Sequence, residues 1–343
     1  MGRKKTTSAV AILALFDLLK DHGFSVMQIE ARTGIDRAGM EDPDTRIFMD
    51  QFLDLWRIAE EVTGDPAIGL HLRQNYGQNY IHFAIMIALN SATLLDAARS
   101  WSDYAMLVND TDRAEIIEQA DHYVCTYRCA SPEYENKWIP EHHFSYIVDC
   151  ARRMSGEDVT PVAAWFRYQD PGYGDEYRKI LGCEVHFSKE ENLMVVKKED
   201  MMHPVISPDP YLKALLKKHA DGMVAQLGSN PSMTEQVRTM ISKKLHTGEL
   251  SVRMVSDAMN MDRSTLHRRL KKERTTFRTL LTETRKNLAR KYLIQGLNAS
   301  QTAYMIGFTE PSTFQHAFKR WYGQSPGQFR KTMHSSCHQA ITG

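Results

Sequence analysis

Two stretches of this chain share one layout, and that layout admits few folds. SVRMVSDAMNMDRSTLHRRLKKE (251–273) and NASQTAYMIGFTEPSTFQHAFKRWYG (298–323) each predict a helix, a tight corner and a second helix, about 47 residues apart. In each, a small residue (Ser256, Ala303) stands four before the corner residue (Asn260, Gly307). An apolar residue follows (Met261, Phe308), then a polar helix-starting residue (Asp262, Thr309), then an apolar anchor (Leu266, Phe314). The small residue lets two helices approach closely, and Asn or Gly tolerates a positive φ at the corner. Asp262 suits an N-cap and Pro311 a first helical turn. Between the units, FRTLLTETRKNLARKYLIQG predicts one long amphipathic helix with Leu281, Leu288 and Tyr292 on a shared face. The pattern is that of an all-α domain with two helix-turn-helix units bridged by a linker helix.

Charge separates this region from the rest. Of 43 Lys+Arg and 42 Asp+Glu, residues 233–343 hold 19 and 7, a balance of +12; residues 1–232 hold 24 and 35, a balance of −11. A net charge of +1 therefore conceals a basic domain on an acidic body. A basic domain of that size is the electrostatic footprint of a polyanion partner.

The body mixes helix and strand signals. Phe48, Phe52, Leu55, Trp56, Ala59 and Val62 recur at helical spacing until TGDP (63–66) breaks the pattern, and further helices are expected near Leu94–Val108, Glu141–Met154 and Asp175–Leu181. RAEIIEQA and HYVCTYRC, separated by Asp121, predict a hairpin; PVAAWFRYQ predicts a third strand, and CEVHFSKEENLMVVKK two short strands around a polar turn. DPYLKALLKKHADGMV closes the body as a helix, and GSNPS is the strongest linker candidate. The expected architecture is an α+β N-terminal domain (1–228), a linker (229–233) and an all-α domain (234–332) whose helix-turn-helix units span 251–273 and 299–322.

In each unit the second helix keeps a polar side once its anchors are set aside. With Leu266 and Leu270 inward, the first exposes Arg263, Ser264, Thr265, His267, Arg268, Lys271 and Lys272. With Phe314, Phe318 and Trp321 inward, the second exposes Ser312, Thr313, Gln315, His316, Lys319 and Arg320. Arg and Lys can bond guanine edges or phosphates, whereas Gln, Ser and Thr can bond base edges or backbone. These thirteen residues are the candidate DNA-binding set, and double-stranded DNA is the expected partner.

The segment IGFTEPSTFQHAFKRWYGQSPGQFR closely resembles the C-terminal signature of the AraC/XylS family of bacterial transcription regulators, through Gly307, Phe308, Phe314, Phe318, Lys319, Gly323, Pro326 and Arg330. STLHRRL and LLTETRKNLARKYL are similar to that family's first recognition helix and linker helix. The resemblance implies a sequence-specific regulator, most often an activator, whose recognition helices enter successive major-groove segments of a promoter. His316 stands where the family usually has Arg, which implies a weaker or pH-dependent phosphate contact. Ser256 replaces a usual Ala, and Thr302 a usual aliphatic residue. More loosely, FLDLWRIAEEVTGDPAIGLHL and WFRYQDPGYGDEYRKILGCEVHFSKEENLMVVKKEDMMHP resemble the "arabinose-binding type" effector domain of longer members. That implies ligand sensing, self-association or both; candidate partners are a small-molecule effector of unknown identity, RNA polymerase and a second copy of the chain. An alternative is a ligand-independent regulator whose body serves only oligomerisation or partner docking.

Other functions find little support in the residues. There is no P-loop, G-x-G-x-x-G, G-x-S-x-G or H-E-x-x-H, and PGYGDE (171–176) fits a surface turn, so an enzyme is the remote alternative. Glu141, His142 and His143 are adjacent but point in different directions on a helix. The five scattered cysteines fit a reducing compartment. Cys125 and Cys129 with His142 and His143 lack paired zinc-ligand spacing, and half-buried thiols are the expectation. The aromatics Trp56, Trp101, Trp138, Trp165, Phe166 and Tyr168 are expected to pack in the core. No cofactor or metal is expected. No apolar run approaches the ~20 residues of a membrane helix, and Asp17, Lys20 and Asp21 interrupt the apolar start; a cytoplasmic protein is the expectation.

Overall fold

The computed structural model describes residues 4–41, 45–75, 81–228, 233–245, 250–273 and 275–332. The chain divides into two compact units, Lys4–Val224 and a second from Ala225 onward. Most of the expected linker, residues 229–232, lies outside the described residues, as does Cys337; Met233 already begins a helix.

The first unit opens with β1 (Thr6–Ser8), α1 (Leu13–Asp21), α2 (Val26–Thr33) and β2 (Arg46–Phe48). The helices α3 (Met49–Thr63), α4 (Ile68–His71), α5 (Phe83–Leu89) and α6 (Leu94–Val108) follow. Next come β3 (Asp112–Glu118), β4 (His122–Cys129), α7 (Trp138–Ser155), β5 (Ala163–Trp165) and α8 (Gly174–Leu181). The unit continues through β6 (Glu184–His186), β7 (Asn192–Lys197) and α9 (Lys198–Met201) into α10 (Pro210–Gly228). Alternation of apolar and polar residues produces the expected β3/β4 hairpin, in register from Asp112 opposite Cys129 to Glu118 opposite Tyr123. The sheet order is β3-β4-β7-β5-β6, antiparallel except for the β5/β6 pair. Thus β6 and β7, neighbours in sequence around a polar turn, are not partners: β5 lies between them. Its three residues are all buried, which a short central strand requires.

Helix α7 is the spine of this unit. Ile139, Phe144 and Val148 are buried on it, in a core that also holds Phe16, Trp56, Phe166 and Tyr177. Each large side chain removed from water contributes on the order of 1.5–3 kcal/mol, so helices on this scale hold by packing rather than by propensity. Where α4 meets α7 the approach is too close for a side chain. A Cβ on Gly69 would lie 2.3 Å from Glu141 Oε2 and 2.8 Å from the Trp138 carbonyl oxygen. Glu141 is itself wholly buried, accepting hydrogen bonds from the Tyr173 and Tyr177 hydroxyls. Among the described residues, no helix is long and apolar enough to cross a membrane.

Candidate nucleic-acid interface

The second unit contains α11 (Met233–Lys244), α12 (Val252–Ala258), α13 (Arg263–Lys272), α14 (Phe277–Ile294), α15 (Ala299–Met305) and α16 (Pro311–Tyr322), then a further helical stretch at 326–332. The two repeats become α12–α13 and α15–α16, with α14 bridging them. Their corners are left-handed as their residues allow: Asn260 has φ +51° and Gly307 φ +72°. Ser256 and Ala303 are buried at the helix crossings. Ser256 keeps its close packing by donating its hydroxyl to the Arg253 carbonyl at 2.9 Å. Thr302, also buried, has no hydrogen-bond partner for its hydroxyl among the described residues.

Each recognition helix is aimed by its start and its anchors. Asp262 caps α13, accepting from the Thr265 backbone N–H at 2.7 Å and from the hydroxyls of Ser264 and Thr265. Those donors hold its carboxyl well below the usual carboxylate range. Helix α16 starts differently from expectation: Glu310, not Thr309, is its N-cap, without a side-chain bond, and Pro311 fixes the first turn. Leu266 and Leu270 bury α13; Phe314 and Phe318 bury α16. Phe318 packs against Phe314, Phe329 and Tyr322 with ring centroids 5.6, 5.4 and 4.7 Å away. Trp321 is only half-buried, against Phe308.

The bridge fixes the units further. Arg238 of α11 pairs with Glu283 of α14 at 2.8 Å. Glu273 accepts the backbone N–H groups of Met233 and Thr234 at 2.9 and 2.8 Å, closing the start of α11. Burial works against ionisation of Glu273, yet these donors keep its carboxyl below the ordinary value. The buried face of α14 is not the expected one. Leu280, Thr284, Ala289, Leu293 and Ile294 are buried, whereas Leu281, Leu288 and Tyr292 are only half-covered. The helix packs on elements to more than one side, so a single apolar stripe cannot describe its burial.

Of the thirteen candidate residues, Arg263, Ser264, His267, Arg268, Lys271 and Lys272 on α13 are exposed, as are Ser312, Thr313, Gln315, His316, Lys319 and Arg320 on α16. Thr265 is half-buried, and its hydroxyl, like that of Ser264, is occupied by Asp262. Arg269, outside the expected set, is exposed as well; the basic stretch HRRLKK, broken only by the anchor Leu270, was the signal for it. The arrangement is two polar helix faces, that of α13 largely basic and that of α16 basic in its last turn, each carried on a buried apolar underside and each able to present donors to base edges and phosphates. The other proposed constellation separates: Glu141 faces Tyr173 and Tyr177, while His143 packs against Tyr127 and Trp101. Among the described residues no group of His, Cys, Asp and Glu could hold a metal ion. The Cys125 thiol is half-exposed as a residue, yet burial pushes its pKa up to about 12; Cys129 donates to the Ser131 carbonyl at 3.1 Å.

The family model described as "Arabinose-binding domain of AraC transcription regulator, N-term" matches residues 23–205, more than half of the chain. A "Helix-turn-helix domain" model matches residues 255–332. The HTH-type transcriptional regulator VirS of Mycobacterium tuberculosis is 24% identical over 321 residues, covering 92% of this chain and 93% of VirS. The ornithine utilization regulator of Pseudomonas aeruginosa is 20% identical over 323 residues, covering 93% and 94%. Among solved structures, the transcriptional regulator CdpR from Pseudomonas aeruginosa is 17% identical with a TM-score of 0.45, covering 94% of this chain and 98% of that one.

Proposed function

Because this chain belongs to the AraC family of DNA-binding transcription regulators, we propose that α13 and α16 are its two reading helices and that residues 1–228 govern how they engage a promoter. Arg268 and Gln315 read base edges, Lys319 neutralises a phosphate, and the other exposed residues of the two faces position the protein on the duplex. The observation that carries this reading is the division of each helix: twelve polar candidates exposed, and Leu266, Leu270, Phe314 and Phe318 buried beneath them. The body acts as the sensor or dimerisation module. A small molecule that favours one state of the body shifts DNA engagement by its differential affinity, and dimerisation lets two copies hold adjacent sites at raised effective concentration. Activation through RNA polymerase is the expected output.

Footprinting of the full chain on the regions upstream of neighbouring genes tests the proposal. A protected site of about 17–20 base pairs is expected, because two recognition helices about one turn (~34 Å) apart cover roughly that length. Occupancy should fall steeply with salt as neutralised phosphates recover their counterions. Protection no stronger than on random duplex would overturn it. A site held equally well by a monomer, with no small molecule altering it, would instead favour a body that only docks partners.

A further inference from the structure

The first unit contains a cavity of about 200 Å³ between α3, α5, α6, α7 and the β3/β4 face of the sheet. Its walls are mostly apolar, and no Lys or Arg is among its lining residues. Two indoles line it, Trp56 and Trp101, and neither Nε1–H has an acceptor among the described residues. Trp56 is 1% exposed, so its donor has no access to bulk water either. Asn109 Oδ1, on the same wall, is likewise buried and without a donor. Buried polar atoms normally find partners; Trp165 and Trp321 carry orphan indoles as well, but Trp56, Trp101 and Asn109 share the lining of one apolar space with room for a molecule that brings a partner.

The charge of that partner follows from the lining. His142 and His143 face the cavity, but burial lowers them to about 4 and about 3, leaving both imidazoles neutral at physiological pH. The one lining carboxylate, Asp112, already accepts the Tyr127 hydroxyl at 2.8 Å and the Thr111 hydroxyl at 3.3 Å. Arg73, over the Tyr146 ring at 5.2 Å, and Arg46 stand behind the lining and are already paired with Asp149 and Asp110, so a carboxylate or phosphate ligand would be desolvated without a lining cation of its own, and burying an unpaired charge is costly. A polyol fits no better: a sugar presents a hydroxyl on nearly every carbon, and this wall is mostly apolar.

We propose that this cavity is the effector site, and that it takes a neutral, mostly apolar molecule of one-ring or short-chain size bearing a carbonyl or hydroxyl oxygen that accepts from Trp101. The size follows from the volume, since an apolar cavity of about 150 Å³ holds benzene. The inference rests on the reading of the body as a sensor. The rings of Trp101 and His143, 5.4 Å apart at 38°, and of Trp56 and His142, 5.7 Å apart at 52°, give the ligand aromatic faces to pack on.

Four probes titrated into the full chain test it, read by calorimetry and by tryptophan fluorescence: acetophenone, its acceptor-free isostere ethylbenzene, benzoate and L-arabinose. Acetophenone should saturate one site and bind roughly tenfold tighter than ethylbenzene, the worth of about one hydrogen bond. Benzoate and arabinose should not saturate over the same range. Trp101→Phe keeps an aromatic face and removes the donor, and should close the gap between acetophenone and ethylbenzene even where the smaller ring changes the binding of both. Ala151→Leu and Ala98→Leu fill the space from two different helices; either one, folded by circular dichroism, should abolish both. Benzoate or arabinose binding as tightly as acetophenone, no probe saturating, or a folded leucine variant that still binds would each overturn the proposal. Saturable acetophenone binding that leaves the DNA footprint unchanged would support the site and overturn the sensor reading instead.

Discussion

Arg285 holds the second helix-turn-helix corner to the bridging helix by donating to the Gly307 carbonyl at 2.9 Å. Its Nε donates to the neighbouring Ile306 carbonyl at 3.1 Å, and the guanidinium lies 4.6 Å from the centroid of the Phe308 ring. The corner's own backbone is thereby tied to α14, and with it the direction in which α16 leaves. Because a guanidinium offers a rigid fork of donors and a flat face, Lys in this place could not bond both carbonyls and lie on the ring together.

Gly307 is the most tightly enclosed glycine among the described residues of this unit. Its φ of +72° disfavours any side chain, and an added Cβ would stand 2.4 Å from the Leu245 carbonyl oxygen. Gly307→Ala should destabilise the second unit by about 2–4 kcal/mol, the strain of a left-handed residue plus a backbone collision. Gly323→Ala is the control: the φ is +71°, but nothing lies within 4 Å, so about 1 kcal/mol is expected. Guanidinium unfolding of both variants decides; equal losses would mean that the Leu245 carbonyl moves aside freely.

Ser256 and Thr302, the residue just before Ser256's counterpart Ala303, are both buried where the helices of their units cross, with opposite polar accounts. The Ser256 hydroxyl is bonded, whereas that of Thr302 is buried without a partner. Thr302→Val preserves the shape and removes the orphan, so a gain of about 1 kcal/mol is expected in the melting transition of the second unit. Ser256→Ala removes a hydroxyl already satisfied and should change stability little. A destabilised valine variant would show that Thr302 finds a partner in solution.

The helix-turn-helix layout was legible because its determinants are local: a small residue, a left-handed corner and anchors at helical spacing each leave a mark within a dozen residues. Exposure of the two polar faces followed from the same anchors. What the residues did not announce depends on contacts distant in sequence. Arg285 could be seen to lie on a helix, but not that it would meet carbonyls 21 and 22 residues onward. The order β7-β5-β6 escaped because adjacency around a turn suggests pairing, whereas the sheet inserts β5. The α2 helix and the short β1/β2 ladder went unread: each has eight residues or fewer, too short for periodicity to stand out. Trp56 and Trp101 were expected as core and do pack there in part; that both line one cavity is set by α3 and α6 converging on α7, which no local pattern records.

Glu141 should set part of the body's pH dependence. Burial, chiefly, raises its pKa from 4.5 to about 7, although the Tyr177 and Tyr173 hydroxyls oppose the shift. A carboxyl raised in the fold contributes most below the unfolded value; stability then falls as pH rises from about 4.5 to about 7 and is level above. The penalty at the plateau is on the order of 3 kcal/mol. Glu141→Gln keeps an acceptor for both tyrosines and removes the titration, so its melting temperature should exceed that of the parent increasingly across that window. The buried histidines His142 and His143 act in the opposite sense, losing stability as pH falls below about 6.5, but they are common to both proteins and cancel in the difference. A difference that stays flat from pH 4.5 to 7 would mean the carboxyl ionises normally inside the fold.

The two recognition helices should separate by the kind of contact they make. Arg268 and Gln315 are exposed on α13 and α16, each beyond the buried anchors that fix its helix. Arg268 can form a bidentate pair with guanine and Gln315 with adenine, so truncating either to Ala should cost about 1–3 kcal/mol at particular base positions and relax preference there. Lys319 lies one turn beyond Gln315, in the last turn of α16. As a phosphate contact it carries no sequence information: Lys319→Ala should weaken binding to cognate and random duplex alike and lower the slope of log affinity against log salt by about one. Binding measured on a panel of single-base variants at several salt concentrations distinguishes the classes. If all three substitutions lower affinity uniformly across the panel, Arg268 and Gln315 are holding phosphates, and base readout must fall to other exposed positions such as Arg263, Arg269 or His316.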